Sequence, residues 1–83
     1  MARGTRGEIV QIVGPVVDVA FPPDALPVIH NAIEIPRPDA APLIAEVETQ
    51  VERGWVRCVA MDTTDGLRRG MPAFDTGAPI MVP

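Results

Sequence analysis

The sequence predicts a small all-β protein of about six short strands, a pattern typical of a sandwich or a closed barrel, and three observations support this fold class and favour the barrel. Ten prolines and seven glycines in 83 residues divide the chain into pieces too short for a helix of ordinary length. Between these breaks lie about six short segments rich in valine, isoleucine and alanine, some of which alternate apolar and polar residues. So short a chain buries only about 60–65% of its unfolded surface, and a closed barrel has the advantage of leaving no strand edge unpaired.

The first two strands are predicted to form an antiparallel hairpin. Residues 8–13 and 16–21 are separated only by Gly14-Pro15, where proline fixes its own φ and restricts the residue before it, so that the chain turns at once. In the second segment Val17, Val19 and Phe21 share one face, whereas Asp18 lies on the other. This period of two is typical of a half-buried strand.

The next part of the chain is predicted to contain little regular structure. Two successive prolines at residues 22–23 end the second strand, because neither has an N–H to donate. Residues 24–27 are expected to make one helical turn with Asp24 as its cap. A short third strand follows near residues 31–35, and three prolines within residues 36–42 predict a loop.

The fourth strand shows the clearest alternation in the chain. Within residues 43–51 the odd positions are apolar except for a threonine, and most of the even positions are polar. Residues 52–54 predict a hairpin turn in which Gly54 has a positive φ. The fifth strand, residues 55–61, is mostly apolar on both faces.

The C-terminal part is predicted to close the barrel. Residues 62–70 read as a loop, residues 72–74 as the sixth strand, and residues 80–82 as a last short strand. Pro72 is expected at an edge or a bulge, because proline cannot donate a hydrogen bond to a neighbouring strand. The predicted interior of the barrel consists of Val17, Val19, Phe21, Ile33, Val47 and Val59.

Composition and charge argue against several classes of function. The net charge is −4, and an acidic chain with three aromatic residues lacks the basic stripe and stacking platforms of a nucleic-acid binder. All seven basic residues are arginines. Without lysine there can be neither a GxxxxGK[ST] phosphate loop nor a Schiff base, and without serine there can be no serine-based triad.

The single cysteine, the lengths of the apolar runs and the N-terminus predict a domain with a free thiol that does not span a membrane. Cys58, which lies among valines and alanine, is expected to be a buried small apolar residue in a reducing compartment. No apolar run approaches 18 residues, which predicts no membrane span and no direct membrane insertion. Residues 1–6 are interpreted as a disordered lead-in, and residues 7–83 as one domain.

The tripeptide Asp75-Thr76-Gly77 has two interpretations. Retroviral-type aspartic proteases are short β-rich chains that pair two Asp-Thr-Gly loops so that two carboxylates share one proton. Such an enzyme needs a long segment after the tripeptide, however, and only residues 78–83 follow here. Asp-x-Gly is also a common turn sequence, in which aspartate bonds to its own backbone and glycine takes a positive φ. We therefore interpret the tripeptide as a turn.

Three other features resemble sites but are interpreted as structural. Residues 62–66 resemble part of a calcium loop, but glycine falls at the fifth position instead of the sixth and the twelfth is alanine, so a solvated turn is predicted. Arg68 and Arg69 are interpreted as a solvated pair. His30 has no cysteine or second histidine near it, which argues against a metal site.

Several strings, taken in order, resemble the start of the beta subunit of F-type ATP synthases. They are GEIVQIVGPVVDVAFP (residues 7–22), LPxIxNA (26–32), VRCVAMDTTDGLxRG (56–70) and DTGAPIxVP (75–83). The resemblance covers most of the chain. The opening segment of the related alpha subunit lacks the GPVVDV string.

The resemblance implies a six-stranded antiparallel barrel that is the N-terminal, or crown, domain of the beta subunit. In this family alternating alpha and beta barrels form a ring that holds the catalytic head together, so the expected partners are neighbouring alpha subunits. The parent subunit uses ATP or ADP and magnesium, and synthesises or hydrolyses ATP coupled to proton transport. Its catalytic and nucleotide-binding residues lie beyond the barrel, so no catalytic, cofactor-binding or metal-binding residue is expected in this chain.

The resemblance also implies a location at the cytoplasmic face of the bacterial inner membrane, as a peripheral part of the complex, or at the mitochondrial or chloroplast equivalent. Two other functions stay open at this point. One is an aspartic-type hydrolase that depends on Asp75, and the other is an autonomous ligand-binding barrel. The preferred prediction is a structural, non-enzymatic assembly domain.

Overall fold

The computed structural model describes residues 4–51 and 54–80 and confirms a closed six-stranded antiparallel barrel. One short 3-10 turn, Pro23–Ala25, lies between the second and third strands. The strands are β1 (Arg6–Val13), β2 (Val16–Ala20), β3 (Asn31–Arg37), β4 (Ala40–Val51), β5 (Trp55–Ala60) and β6 (Pro72–Pro79).

The strands follow the order β1-β2-β5-β4-β3-β6 around the barrel, and every neighbouring pair is antiparallel. β6 completes the closure, since it pairs with β1 on one side and with β3 on the other. Register shifts interrupt the pairing of β1 with β2, of β4 with β5 and of β3 with β6. Such bulges increase the local twist and bend a strand, which a barrel this narrow needs in order to close.

The hairpin of β1 and β2 is confirmed. Val13 pairs with Val16, so that Gly14 and Pro15 are the two central residues of the turn. Gly14 has φ 56°, which a residue with a side chain rarely adopts, and Pro15 must keep a negative φ. A positive φ at the first central residue alone is the pattern of a type II′ turn, whose twist matches that of a two-residue hairpin.

The loop predicted from the three prolines in residues 36–42 is wrong, because these residues belong to a second hairpin. β3 continues to Arg37 and β4 begins at Ala40, which pairs with Arg37. The register shifts between Ile35 and Arg37, at the position of Pro36. Prolines are tolerated in strands at bulges, where a missing donor costs no regular hydrogen bond.

Some predicted boundaries also differ from the structure. β1 begins at Arg6, two residues earlier than expected, and residues 1–3 of the predicted lead-in lie outside the described residues. Pro22, and not Asp24, caps the helical turn, and no side chain bonds to its first N–H groups. Pro72 is the first residue of β6, which extends to Pro79, and most of the last predicted strand, residues 81–82, lies outside the described part.

The barrel interior confirms five of the six predicted residues. Val59 is the exception: it is half-buried, whereas its neighbours Cys58 and Ala60 are in the core. β5 is apolar on both faces, so composition could not decide which set of alternate residues points inwards. The buried apolar cluster consists of Ile9, Val17, Val19, Phe21, Ile33, Ile35, Leu43, Ala45, Val47, Val56, Cys58, Ala60 and Ala73.

Candidate functional site

The tripeptide Asp75-Thr76-Gly77 lies inside β6 and forms a bulge, not the predicted turn between elements. Ile33 of β3 pairs with Asp75 and Asn31 pairs with Pro79, so β6 has extra residues opposite a shorter stretch of β3. Gly77 has φ 79° and donates its N–H to Asp75 Oδ1 at 2.9 Å. The local chemistry of an Asp-x-Gly turn is therefore present, within a strand.

The side chains of the tripeptide connect β6 to β3. The buried Asn31 donates from Nδ2 to Asp75 Oδ1 at 3.0 Å. The hydroxyl of Thr76 donates to the Ala32 carbonyl at 2.8 Å and lies 3.0 Å from the Ala78 carbonyl. Asp75 Oδ1 thus receives two structural hydrogen bonds, and this geometry supports a structural role for the carboxylate.

Two substitutions of Asp75 test whether its side-chain oxygen stabilises the fold by accepting hydrogen bonds. Asp75→Ala is expected to lower the free energy of unfolding by about 1–3 kcal/mol, because the buried Asn31 amide would lose its acceptor. Asp75→Asn retains an oxygen at the same place and should cost much less. Urea unfolding of the two variants beside the wild type measures both effects. Equal losses in both variants would contradict the assignment.

The calcium-loop-like residues form hydrogen bonds among themselves and with the β1–β2 turn. Asp62 Oδ1 accepts from the N–H of Thr63 at 2.7 Å, and the Thr64 hydroxyl donates to the Gly14 carbonyl at 2.9 Å. Gly66 has φ 87°. Across the described residues, no group of three or more histidine, cysteine, aspartate or glutamate side chains is arranged to hold a metal ion.

The remaining basic candidates occupy the surface. His30 has φ 77° and its side chain is 68% exposed, with Nδ1 3.2 Å from Glu46 Oε2. Its backbone N–H donates to the Val47 carbonyl at 2.8 Å, which fixes the loop before β3. Arg68 and Arg69 are exposed, and within the described ranges neither forms an ion pair. Nothing in these positions gathers several basic groups into one site.

An ion pair on the outer wall of the barrel was missed by the sequence analysis. Asp18 is only 2% exposed, and Arg57 donates to both of its carboxylate oxygens, from Nε at 2.9 Å and from an Nη at 3.1 Å. These hydrogen bonds, together with the attraction between the charges, raise the pKa of Arg57. The two residues are direct partners in the β2–β5 register, which only the non-local pairing of the strands reveals.

Cys58 is buried as predicted, and its environment opposes ionisation. Burial, and then the negative charges of Asp18, Glu48 and Asp75, raise the pKa of the thiol to about 12. Because the reactive form of cysteine is the thiolate, this side chain should be inert in the folded protein.

The pH dependence of stability tests this environment. A thiol that ionises more easily in the unfolded chain, near pH 8.5, destabilises the fold as the pH rises above that value. Between pH 8 and pH 10 this contribution lowers the free energy of unfolding by about 2 kcal/mol. Cys58→Ala should lack this part of the slope, so urea unfolding of both proteins at the two pH values measures it. Identical slopes would show that the thiol does not contribute.

The structure contains no helix, within residues 4–51 and 54–80, that is long and apolar enough to cross a membrane. A match to a known protein family spans residues 9–77. The matching family is described as the ATP synthase alpha/beta family, beta-barrel domain. The match includes the four strands β2 to β5 completely and most of β1 and β6, and it ends at Gly77 of the Asp75-Thr76-Gly77 bulge.

Proposed function

The chain belongs to the ATP synthase alpha/beta family, as its N-terminal β-barrel domain, and from this premise we propose that it serves as the assembly domain of the catalytic beta subunit of an F-type enzyme. In this role the barrel holds its subunit within a ring of alternating alpha and beta subunits. The observation that carries the proposal is the family match over residues 9–77, together with the closed barrel to which these residues contribute most of every strand.

The choice of the beta subunit depends on particular strings. Residues 14–19 read GPVVDV, which resembles the beta subunit and is absent from the opening segment of the alpha subunit. In the structure these residues form the β1–β2 turn and the start of β2, and they include the buried Asp18. The string therefore includes the β1–β2 turn and the buried Asp18, both of which belong to the structural framework of the barrel.

A structural role for the barrel is supported by how its polar groups are arranged. Asp75, Thr76 and Asn31 bond to one another or to backbone groups, and Asp18 is paired with Arg57. Among the described side chains, no buried nitrogen or oxygen lacks a hydrogen-bond partner. Catalytic and ligand-binding sites often contain buried polar atoms without a hydrogen-bond partner or side chains with a strongly shifted pKa. The polar side chains named here are instead bonded within the barrel, which supports a structural role.

The wider assignment follows from the proposed parent subunit. The parent would bind ATP or ADP with magnesium outside this barrel and couple ATP synthesis or hydrolysis to proton transport. Its partners would be neighbouring alpha subunits, and the complex would lie at the cytoplasmic face of a bacterial inner membrane or at the organellar equivalent. The barrel itself would neither catalyse a reaction nor bind nucleotide.

Chimeric subunits test the assembly role and the subunit type together. This barrel would replace the N-terminal barrel in a beta subunit and, separately, in an alpha subunit of an ATP synthase that can be reconstituted from purified parts. We expect the beta chimera, mixed with native alpha subunits, to form hexamers by native mass spectrometry, and the alpha chimera not to do so. Hexamers from the alpha chimera alone would reverse the subunit assignment, and failure of both would contradict the assembly role.

A titration of the isolated chain tests the absence of a nucleotide site. Backbone NMR shifts are followed while ATP and magnesium are added. We expect no localised saturable change, whereas saturation at micromolar ligand would support the autonomous ligand-binding barrel instead. Peptide hydrolysis by the chain that disappears in Asp75→Asn would support the hydrolase.

A further inference from the structure

A cross-strand row on the outer wall of the barrel fixes the position of one arginine. Gln11 of β1 pairs with Asp18 of β2, and Asp18 pairs with Arg57 of β5. Arg57 makes two hydrogen bonds to the Asp18 carboxylate, which is 2% exposed, while its own side chain is 46% exposed. A guanidinium held by two bonds has lost most of its rotational freedom, so little further ordering is needed when it binds a partner.

This row borders a surface groove of about 270 Å³ lined by Gln11, Val13, Val16 and Arg57. Val13 is 60% exposed, a large fraction for a valine at the end of a strand. Nη1 of Arg57 and the side-chain amide of Gln11 make no hydrogen bond to the described part of the chain. The groove therefore has apolar walls and hydrogen-bonding groups that are available to a second molecule.

The charge of the groove indicates what kind of molecule fits. Asp18 compensates the charge of Arg57, so the guanidinium offers donors without an excess of positive charge. A phosphate or a carboxylate would have to compete with Asp18, whereas an uncharged carbonyl oxygen would not. Two valine walls favour a small apolar side chain next to that carbonyl. An uncharged, apolar peptide segment has both features.

We propose that this groove receives an uncharged, apolar backbone segment of the neighbouring subunit, with Arg57 Nη1 donating to one of its carbonyl oxygens. This inference rests on the proposed function, since it names the surface by which the barrel meets its partner. An anchored arginine beside apolar side chains at the surface, here the exposed Val13 and the half-buried Val16, is a typical feature of an interface, and the buried Asp18 restricts its orientation.

The test measures the affinity between the subunit that carries this barrel and its purified partner subunit. Val13→Asp places a charge on the apolar wall and is expected to weaken binding by at least about 30-fold. Because Val13 is exposed, thermal unfolding of this variant should match the wild type. Arg57→Lys keeps a charge opposite Asp18 but loses the planar fork, and we expect at least about 10-fold weaker binding.

Val28→Asp is the matched control, since Val28 is 61% exposed and lies in the loop before β3, away from the groove. It is expected to bind as the wild type does. Wild-type affinity in Val13→Asp, or equal losses in Val13→Asp and Val28→Asp, would overturn the groove assignment. Wild-type subunits that form no complex would contradict the proposed function itself, so the two failures are distinguishable.

Discussion

Ile33→Ala is expected to lower the free energy of unfolding by about 3–5 kcal/mol. Ile33 is fully buried in β3 and pairs with Ala45 on β4 and with Asp75 on β6. Removing three carbons leaves a cavity between strands that their hydrogen bonds prevent from moving together. A domain of this size has a total stability of about 4–12 kcal/mol, so the variant would be close to unfolding.

Thermal unfolding followed by circular dichroism measures the effect of Ile33→Ala, with a decrease in Tm of at least about 12 °C expected. Val19→Ala, at an equally buried position, removes a smaller volume and should cost about 1–3 kcal/mol. Val28→Ala, at an exposed position, should change stability by no more than about 0.5 kcal/mol. If Ile33→Ala melted with the exposed variant, the placement of Ile33 in the core would be wrong.

Gly7→Val is expected to destabilise the barrel by about 3 kcal/mol or more, for a reason opposite to a cavity. A Cβ at residue 7 would lie 2.6 Å from the Ala20 carbonyl oxygen and 2.8 Å from the ring of Phe21. The ring could rotate away, but the carbonyl belongs to β2, so the first hairpin would have to separate. Gly7 thus allows β1 to lie close to the end of β2.

Glu8→Val provides the comparison for Gly7→Val. Glu8 is the next residue of β1 and its side chain is exposed, so the same side chain placed there should change stability by no more than about 0.5 kcal/mol. Gly7→Ala should already be destabilising, because the Cβ alone makes the close contacts. Gly7→Val with wild-type stability in urea would mean that Ala20 and Phe21 do not close over residue 7.

Local sequence patterns predicted the inward-facing residues of those strands whose two faces differ in polarity. In β2 and β4 apolar and polar residues alternate, and Val17, Val19 and Val47 were correctly placed inside. β5 has no such contrast, so Val59 was assigned to the interior while Cys58 occupies it. Which side chains of β5 face the interior is decided by its pairing with β2 and β4, and this pairing depends on residues far away in the sequence.

Bulges account for most of the other differences. The prolines near residues 36–42 and the Asp75-Thr76-Gly77 tripeptide carry signals of turns, and both occur inside or beside strands where the register shifts. A turn signal states only that the backbone leaves regular geometry; whether the chain then reverses depends on the strand opposite. The ion pair of Asp18 and Arg57 was not predictable for the same reason, since 39 positions separate its members.

The order in which the strands pair has a consequence for synthesis of the chain. β6 is the last strand to be made, and it pairs with both β1 and β3; the partners Arg6 and Phe74 lie near opposite ends of the sequence. While the ribosome still holds β6, the free edges of β1 and β3 have no partner, and unpaired edges are where nascent chains associate wrongly. Closure also has to overcome the entropy of joining distant segments, which slows folding. The edges of β1 and β3 therefore stay open to wrong association until β6 has left the exit tunnel. In a longer polypeptide, the residues after β6 would occupy the tunnel while β6 pairs and closes the barrel.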